Sequence, residues 1–335
     1  VAPFLAATGR TDIAATVTGE LGGTVRGRTP AEIMAQSALA FDGQIRDVRY
    51  PGVAVRQVTG QARLEGGVLT LDPIRTELPE QGRLSGRVAL SGLLQPPFTA
   101  ELAVKGERVD LATLIPGDAG VGGLLTGDLS GTVHGLTLSE IVQRSALAFD
   151  GRIERVQVPN VPVQKITGQM RLQDGKLNLE PVRADLAQGG HLTGRVTLAG
   201  IPERPLAADV AVKGERLDIA TLVGRDIGVH GLFTGELIGD LQGADIAGIV
   251  AGSRLRLIGD LTDLRLPQLE NRLPKAAVTA TLSPQDKQPL RLVLEGPIGG
   301  APFRLEAHGG APAAFLLGEQ GAYPLGVALV LGETR

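Results

Sequence analysis

The side chains that carry out most protein chemistry are scarce in this sequence. Its 335 residues include no cysteine and four histidines, His134, His191, His230 and His308. Without cysteine the chain has no disulfide, no thiolate zinc site, no iron–sulfur cluster and no thiol nucleophile. No histidine lies in an H-E-x-x-H motif, and the sequence contains neither a P-loop nor a G-x-S-x-G elbow. We therefore predict that the protein is not an enzyme and holds no cofactor and no metal ion.

One charged motif occurs twice. The sequence Lys-Gly-Glu-Arg fills residues 105–108 and again residues 213–216. Identical charges at matching places could contact a lipid headgroup. The simpler interpretation, which we favour, is a solvated turn after a strand, where the charges add solubility. The motif is therefore not counted among the candidate site residues.

The charge and composition of the chain exclude whole classes of partner. It carries 33 basic and 36 acidic residues, and only 3% of its residues are aromatic. It therefore lacks both the basic field and the stacking platforms that nucleic acids need, and we predict no nucleic-acid partner. The 47 glycines argue against a helical protein, because glycine inside a helix costs roughly 1 kcal/mol relative to alanine.

The sequence repeats with an offset of 108 residues. Residues 37–43 (SALAFDG) recur letter for letter at 145–151, and residues 103–108 (AVKGER) recur at 211–216. A repeat of this length holds several elements, since single solenoid coils take ~20 to 50 residues. We expect residues 1–16 to end a preceding unit, followed by repeat units at 17–124, 125–232 and 233–335. The third unit diverges after about residue 274, and we expect it to be truncated.

Alternation of apolar and polar residues dominates each repeat unit. In residues 17–27 the odd positions are apolar or glycine and the even positions are mostly polar, and the next two copies keep this pattern. Such alternation predicts strands in a sheet with one apolar and one solvated face. We predict a mostly β protein, in which repeated antiparallel units form an elongated, curled sheet or groove with a few short helices. Separate tandem domains are the alternative.

Local signals predict where the strands end. Asp42-Gly43, Asp150-Gly151 and Asp174-Gly175 have the chemistry of tight turns. A capping threonine, a proline and an acidic residue predict a short helix near residues 30–36. The second copy of this segment predicts another helix near residues 138–144.

Several stretches resemble the AsmA family. Residues 177–182 (LNLEPV) followed by 189–196 (GGHLTGRV) resemble that family's paired strands, and residues 217–222 (LDIATL) resemble its short turn. Residues 289–309 and 323–329 (YPLGVAL) are similar to it as well. The resemblance covers nearly the whole chain, with motifs that are individually degenerate.

The resemblance implies a function in the Gram-negative envelope. AsmA-like proteins are similar to bridge-like lipid-transfer proteins, whose repeated sheets form a long groove with an apolar floor. They are anchored in the inner membrane, extend through the periplasm, and are linked to phospholipid transport to the outer membrane or to its maintenance. The expected partners are a phospholipid or other lipid, and the inner membrane through an anchor outside this sequence.

A groove function would place the alternating apolar residues on one face of the sheet, because residues two apart in a strand point the same way. The candidate lining residues are Leu39, Phe41, Leu69, Leu71, Val88, Leu90, Leu102, Val104, Leu147, Phe149, Leu177, Leu179, Val196, Leu198, Val210, Val212, Leu255 and Leu257. A charge on the opposite face, at Thr18 or Thr126, should do little. The alternative is a structural β-sandwich or β-solenoid, as in an adhesin or surface fibre, that buries this face without a ligand. An enzyme acting on polysaccharide is a third and weaker alternative.

Overall fold

The computed structural model describes residues 14–50, 53–94, 97–113, 122–157, 163–186, 189–200, 205–219, 230–243, 252–265, 273–283, 290–298, 300–309 and 325–332. Most of the predicted terminal segment 1–16 lies outside these residues. The strands form one antiparallel sheet of 18 strands that is not closed, and the described residues include two short α-helices. The predicted fold class, mostly antiparallel β with a few short helices, is confirmed.

The chain divides into two compact units. Unit 1 comprises residues 1–159 and 169–175, and unit 2 comprises residues 160–168 and 176–335. The strands of unit 1 are β1 (Ala14–Thr24), β2 (Ala38–Tyr50), β3 (Val53–Glu65), β4 (Val68–Glu77), β5 (Arg83–Ser91), β6 (Thr99–Asp110), β7 (Gly122–His134) and β8 (Ala146–Gln157). Strand β9 (Val163–Gln173) is divided between the units. The strands of unit 2 are β10 (Lys176–Leu186), β11 (His191–Ala199), β12 (Leu206–Asp218), β13 (His230–Gly243), β14 (Arg254–Arg265), β15 (Leu273–Leu282), β16 (Leu290–Ile298), β17 (Ala301–Gly309) and β18 (Leu325–Leu331).

The two helices form where the sequence predicts them, α1 at Pro30–Gln36 and α2 at Leu138–Arg144. Each begins after a threonine whose hydroxyl accepts a backbone N–H three residues on, at 3.2 Å in α1 and 3.3 Å in α2. In α2 the Glu140 carboxylate also accepts the N–H groups of Leu136 and Thr137, which completes a capping box. These backbone hydrogen bonds hold the pKa of Glu140 below its ordinary value. The described residues also include two 3-10 turns, Pro79–Gln81 and Leu111–Thr113.

Two of the three predicted Asp-Gly turns are wrong. Asp42-Gly43 lies inside β2 and Asp150-Gly151 lies inside β8, whereas Asp174-Gly175 is a turn between β9 and β10 with positive φ at both residues. Gly43 is paired with Gly19 across the strands, and the ring of Phe41 lies over both glycines. A Cβ on Gly43 would lie 2.5 Å from Phe41 Cζ and 2.8 Å from Gly19 Cα. The glycine is therefore required by close packing of a ring and a backbone, not by a turn.

The repeated Lys-Gly-Glu-Arg motif forms a β-bulge inside β6 and β12, not a turn after them. Its arginines, Arg108 and Arg216, have positive φ of 52° and 54°, and the register shifts beside each of them. Their N–H groups donate to the hydroxyls of Thr126 and Thr234 at 3.2 and 3.1 Å. The charges stay solvated, as the simpler interpretation expected, since the Lys105–Glu107 ion pair is about half exposed.

A buried serine recurs at matching positions. Ser37, Ser145 and Ser253 are 2%, 2% and 1% exposed. The Ser37 hydroxyl accepts the N–H of Arg26 at 2.9 Å and donates to the carbonyl of Arg26 at 3.2 Å. The Ser145 hydroxyl makes the matching contact in the next repeat, where it accepts the N–H of His134 at 2.9 Å. These bonds satisfy the buried hydroxyls of Ser37 and Ser145.

The substitution Ser37→Ala should lower the free energy of unfolding by about 1–3 kcal/mol, because it removes two hydrogen bonds to the N–H and carbonyl of Arg26, each contributing about 0.5–1.5 kcal/mol. Urea denaturation followed by circular dichroism measures the change. The control is Ser85→Ala at an exposed position of β5, which should change stability by less than about 0.5 kcal/mol. Equal effects of the two substitutions would show that burial of Ser37 is not what matters.

Candidate functional site

Cross-strand pairing fixes which residues share a face in unit 1. Directly paired residues of an antiparallel sheet point to the same side. One row of paired residues runs through Phe41, Ala62, Leu71, Val88 and Leu102, on the five consecutive strands β2 to β6. This row is apolar at every strand. It defines what we call the apolar face of unit 1.

All ten candidate lining residues of unit 1 lie on its apolar face. A second row passes through Leu39, Leu64, Leu69 and Leu90, and leads on to Ala100 in β6. The remaining candidates follow from pairings in β6, β7 and β8. Val104 pairs with Leu129, which pairs with Phe149, and Leu102 pairs with Gly131, which pairs with Leu147.

The eight candidates in unit 2 also share one face, the apolar face of unit 2. One row runs through Leu179, Val196, Val210, Gly239 and Leu255. Four other pairings place the rest on the same face: Leu177 with Leu198, Gly194 with Val212, and Leu237 with both Val212 and Leu257. Every candidate in this unit is half-buried.

The apolar face of unit 2 contains a cavity of about 560 Å³. Its walls come from six consecutive strands, β11 to β16, and from Ile219 just after β12. The lining residues are Leu192, Val212, Gly214, Leu217, Ile219, Phe233, Gly235, Leu237, Leu257, Leu261, Leu264, Val278, Leu292 and Leu294. None of them has a polar side chain. We call this space the unit-2 cavity.

Most residues of the unit-2 cavity were not among the candidates. Of the eighteen, only Val212 and Leu257 line it. Leu237 was detectable, since it belongs to the same alternating pattern as Leu129 in the preceding copy. Leu292 and Leu294 alternate too, but they lie beyond residue 274, where the sequence no longer matches the earlier copies.

Three buried lining residues of the unit-2 cavity lie toward one end of their strands. Leu217 is 3% exposed, Phe233 6% and Leu264 3%, and all three line the cavity. Behind them, Ala276 and Phe303 pack against Leu264. At the other end of the same strands, the row through Leu255 and its pairing partners is only half-buried.

A phenylalanine ring covers a pair of glycines in each repeat. Phe149 lies over Gly127 and Gly151 in unit 1. The glycines at the same repeat positions in unit 2 are Gly235 and Gly259, but their ring is Phe233. The position that corresponds to Phe149 is Leu257, so the ring has moved to the neighbouring strand while the covered glycines stayed. In each case the signal in the sequence is Phe-x-Gly within a strand.

The opposite face of the sheet carries the charges. Ion pairs join Lys105 to Glu107 in unit 1, and Lys275 to Asp260 and Arg291 to Glu306 in unit 2. The side chain of His191 is 38% exposed and contacts Asp185 at 2.9 Å. Arg183 donates to the same carboxylate at 3.1 Å. The Arg183 hydrogen bond, helped by His191, holds the pKa of Asp185 below its ordinary value.

The substitution Arg183→Gln should raise the pKa of Asp185 toward the ordinary aspartate value. Since the folded-state pKa is depressed, the stabilising effect of this contact exists at neutral pH. It disappears as the pH falls through that lowered pKa. Carboxyl ¹³C chemical shifts followed against pH report the titration. The control Arg195→Gln, on the same face of the neighbouring strand, should leave the Asp185 titration unchanged; an unchanged curve in both variants would contradict the assignment.

The described residues offer no group of three or more histidine, aspartate or glutamate side chains able to hold a metal ion. Within the same part of the chain, no helix is long and apolar enough to cross a membrane. Comparison with protein-family models, with curated proteins and with solved structures found no match to this chain.

Proposed function

We propose that the apolar faces bind the acyl chains of lipids. On this proposal the protein is an AsmA-like component of the Gram-negative envelope that supports phospholipid transport to, or maintenance of, the outer membrane. The observation that carries the proposal is the unit-2 cavity, about 560 Å³ of space whose lining has no polar side chain. The AsmA-like motifs in the sequence support the cellular setting.

The energetics of lipid transfer match such a face. An acyl chain that leaves a bilayer loses ~0.8 kcal/mol of burial for each methylene, so a two-chain lipid loses on the order of 20 kcal/mol. Apolar surface along the path offsets this cost. Rows that are apolar on every strand, such as the row through Phe41, Leu71 and Leu102, provide that surface.

The same cavity disfavours a purely structural protein. Interiors of folded proteins are close-packed, and an unfilled space lined by leucine forfeits dispersion contacts that larger side chains would supply. A β-sandwich or a fibre gains nothing from leaving about 560 Å³ open on its apolar face. A lipid-binding protein requires such space.

The proposed setting is the periplasm, with the full-length protein anchored to the inner membrane. This part of the proposal follows from the resemblance of residues 177–182 and 189–196 to the AsmA family. The proposed ligand is a phospholipid or another lipid with long acyl chains. The charged face, with ion pairs such as Lys275–Asp260, would face the aqueous periplasm.

The experiment is to express the protein in a Gram-negative host and to identify bound lipid. We expect native mass spectrometry to show adducts of phospholipid mass, and organic extraction to recover the same phospholipids from the purified protein. If none co-purifies, the delipidated protein is incubated with phosphatidylethanolamine vesicles and separated from them. Protein that is free of lipid in both measurements would overturn the proposal and favour the structural alternative.

A further inference from the structure

We infer that the unit-2 cavity holds one acyl chain at a time and does not recognise the headgroup attached to it. The inference rests on the proposed function and adds the ligand class and the capacity of this site. It follows from three properties of the cavity: its volume, the absence of polar lining groups, and the burial of its lining at one end.

The volume suits one chain and not two. A dry cavity of about 150 Å³ lined by aliphatic and aromatic residues accepts one benzene, which has six carbon atoms. At that packing, the unit-2 cavity of about 560 Å³ takes roughly 22 carbon atoms. A single membrane acyl chain fits within this limit, whereas the two chains of a phospholipid need about one and a half times the space. The second chain of a bound phospholipid would therefore lie outside the cavity, on the rest of the apolar face of unit 2.

The dimensions agree with the volume. Along β14 the lining runs from Leu257 to Leu264, seven residues at ~3.3 Å each, or about 23 Å. One lipid chain fills half of the ~30 Å hydrocarbon core of a bilayer, or about 15 Å. One extended chain therefore fits in the cavity over its whole length.

The lining cannot bind a headgroup. All fourteen lining residues are apolar or glycine, so no side chain there can donate a hydrogen bond to a phosphate or a carboxylate. Burial of an unpaired anionic group in such a space is strongly unfavourable. Leu217, Phe233 and Leu264 are buried at one end, whereas the Leu255 row at the other end is half-buried. The methyl end of the chain therefore lies at the buried end, and the headgroup stays outside, beyond the Leu255 row.

The sequence has no tryptophan, so the variant Leu255→Trp carries a single fluorophore beside the unit-2 cavity. Dibrominated stearic acid, which quenches tryptophan, is the probe. We expect quenching to saturate at one equivalent per protein. Unlabelled fatty acids of 10 to 26 carbons then compete with the probe. Affinity should rise about four-fold per methylene and level off near 18–22 carbons, where the cavity is full.

Headgroup dependence is measured by competition at constant chain length. Stearic acid, stearyl alcohol and stearoyl-lysophosphatidylcholine should compete within about three-fold of one another, although their headgroups are anionic, neutral and zwitterionic. The variant Leu257→Phe narrows the cavity and should move the plateau to shorter chains by about two carbons. The matched control Ile258→Phe, whose side chain lies on the opposite face, should leave the plateau unchanged.

The outcomes separate this inference from the proposed function. Saturation at two equivalents, a headgroup effect above ten-fold, or affinity that still rises beyond 22 carbons would overturn the inference. All three results would leave acyl-chain binding, and hence the proposed function, intact. Absence of quenching by any acyl chain in a folded protein would overturn both.

Discussion

The substitution Phe233→Ala should lower the free energy of unfolding by about 3–5 kcal/mol. The ring is 6% exposed, belongs to a buried cluster with Leu186, Leu217 and Val278, and covers Gly235 and its neighbouring glycine. Its removal exposes glycine backbone and leaves a void next to the existing cavity, so no other side chain can fill the space. Urea denaturation followed by circular dichroism should show a large fall in the midpoint.

The control is Ile238→Ala on the opposite face of the same strand, where the side chain is 39% exposed. This substitution should cost less than about 1 kcal/mol. A loss of less than about 1 kcal/mol for Phe233→Ala would mean that the ring does not stabilise the sheet. The glycine pair beneath it would then need another explanation.

The fold class was predictable because period-two alternation is a strong signal when one face of a sheet is apolar and the other is solvated. Residues 17–27 carried it, and both later copies repeated it. The short helices were predictable for a different reason. Threonine capping depends only on neighbouring residues, so Thr29 and Thr137 predict the starts of α1 and α2 without any tertiary information.

The failures have a common physical cause. An Asp-Gly pair favours a turn only where no neighbouring strand requires the glycine, and Gly43 is required by Gly19 and the Phe41 ring. Nothing in the local sequence distinguishes this glycine from Gly175, which does form a turn. The difference lies in the partner strand, which is a tertiary property.

The sequence predicted which residues share the apolar face, but it did not predict all the residues that line the cavity. Parity along a strand places Val210 and Val212 on the apolar face. The bulge after Gly214 then breaks the parity, so Leu217 returns to that face at an odd position. A bulge depends on a threonine from the next strand, here Thr234, and it cannot be read from β12 alone.

The same bulge geometry changes one sequence-based expectation. Thr18 and Thr126 were expected to tolerate substitution alike because both lie on the solvated face. Thr18 is exposed, but Thr126 is half-buried and its hydroxyl accepts the N–H of Arg108 at 3.2 Å. We therefore expect only a substitution at Thr18 to have little effect, and Ile238 is the control position for the charge substitution.

The substitution Leu237→Asp should abolish acyl-chain binding in the unit-2 cavity while the protein stays folded. Leu237 lines the cavity, is half-buried, and faces Val212 and Leu257 on the neighbouring strands. A bound acyl chain would remove water from the new carboxylate, and desolvation of an unpaired charge costs several kcal/mol. We expect the affinity for stearic acid to fall at least 100-fold, measured by competition with a fluorescent fatty acid.

The matched control is Ile238→Asp, which places the same charge one residue away on the opposite face. The affinity of this variant for stearic acid should stay within about two-fold of that of the unchanged protein. Asparagine has the shape of aspartate but no charge. The variant Leu237→Asn should therefore lose less affinity for stearic acid than Leu237→Asp, because the penalty comes mainly from the charge.

Thermal melting of Leu237→Asp decides between an open and a closed apolar face. On an open face the carboxylate remains hydrated in the lipid-free protein, so the variant should melt as one cooperative unit with a modest fall in Tm. Within a core closed by protein, the same charge has no water and no partner, and the variant should fail to fold. A folded Leu237→Asp protein that binds stearic acid as tightly as before would contradict acyl-chain binding at this site. A variant that unfolds while Ile238→Asp remains folded would favour the structural alternative.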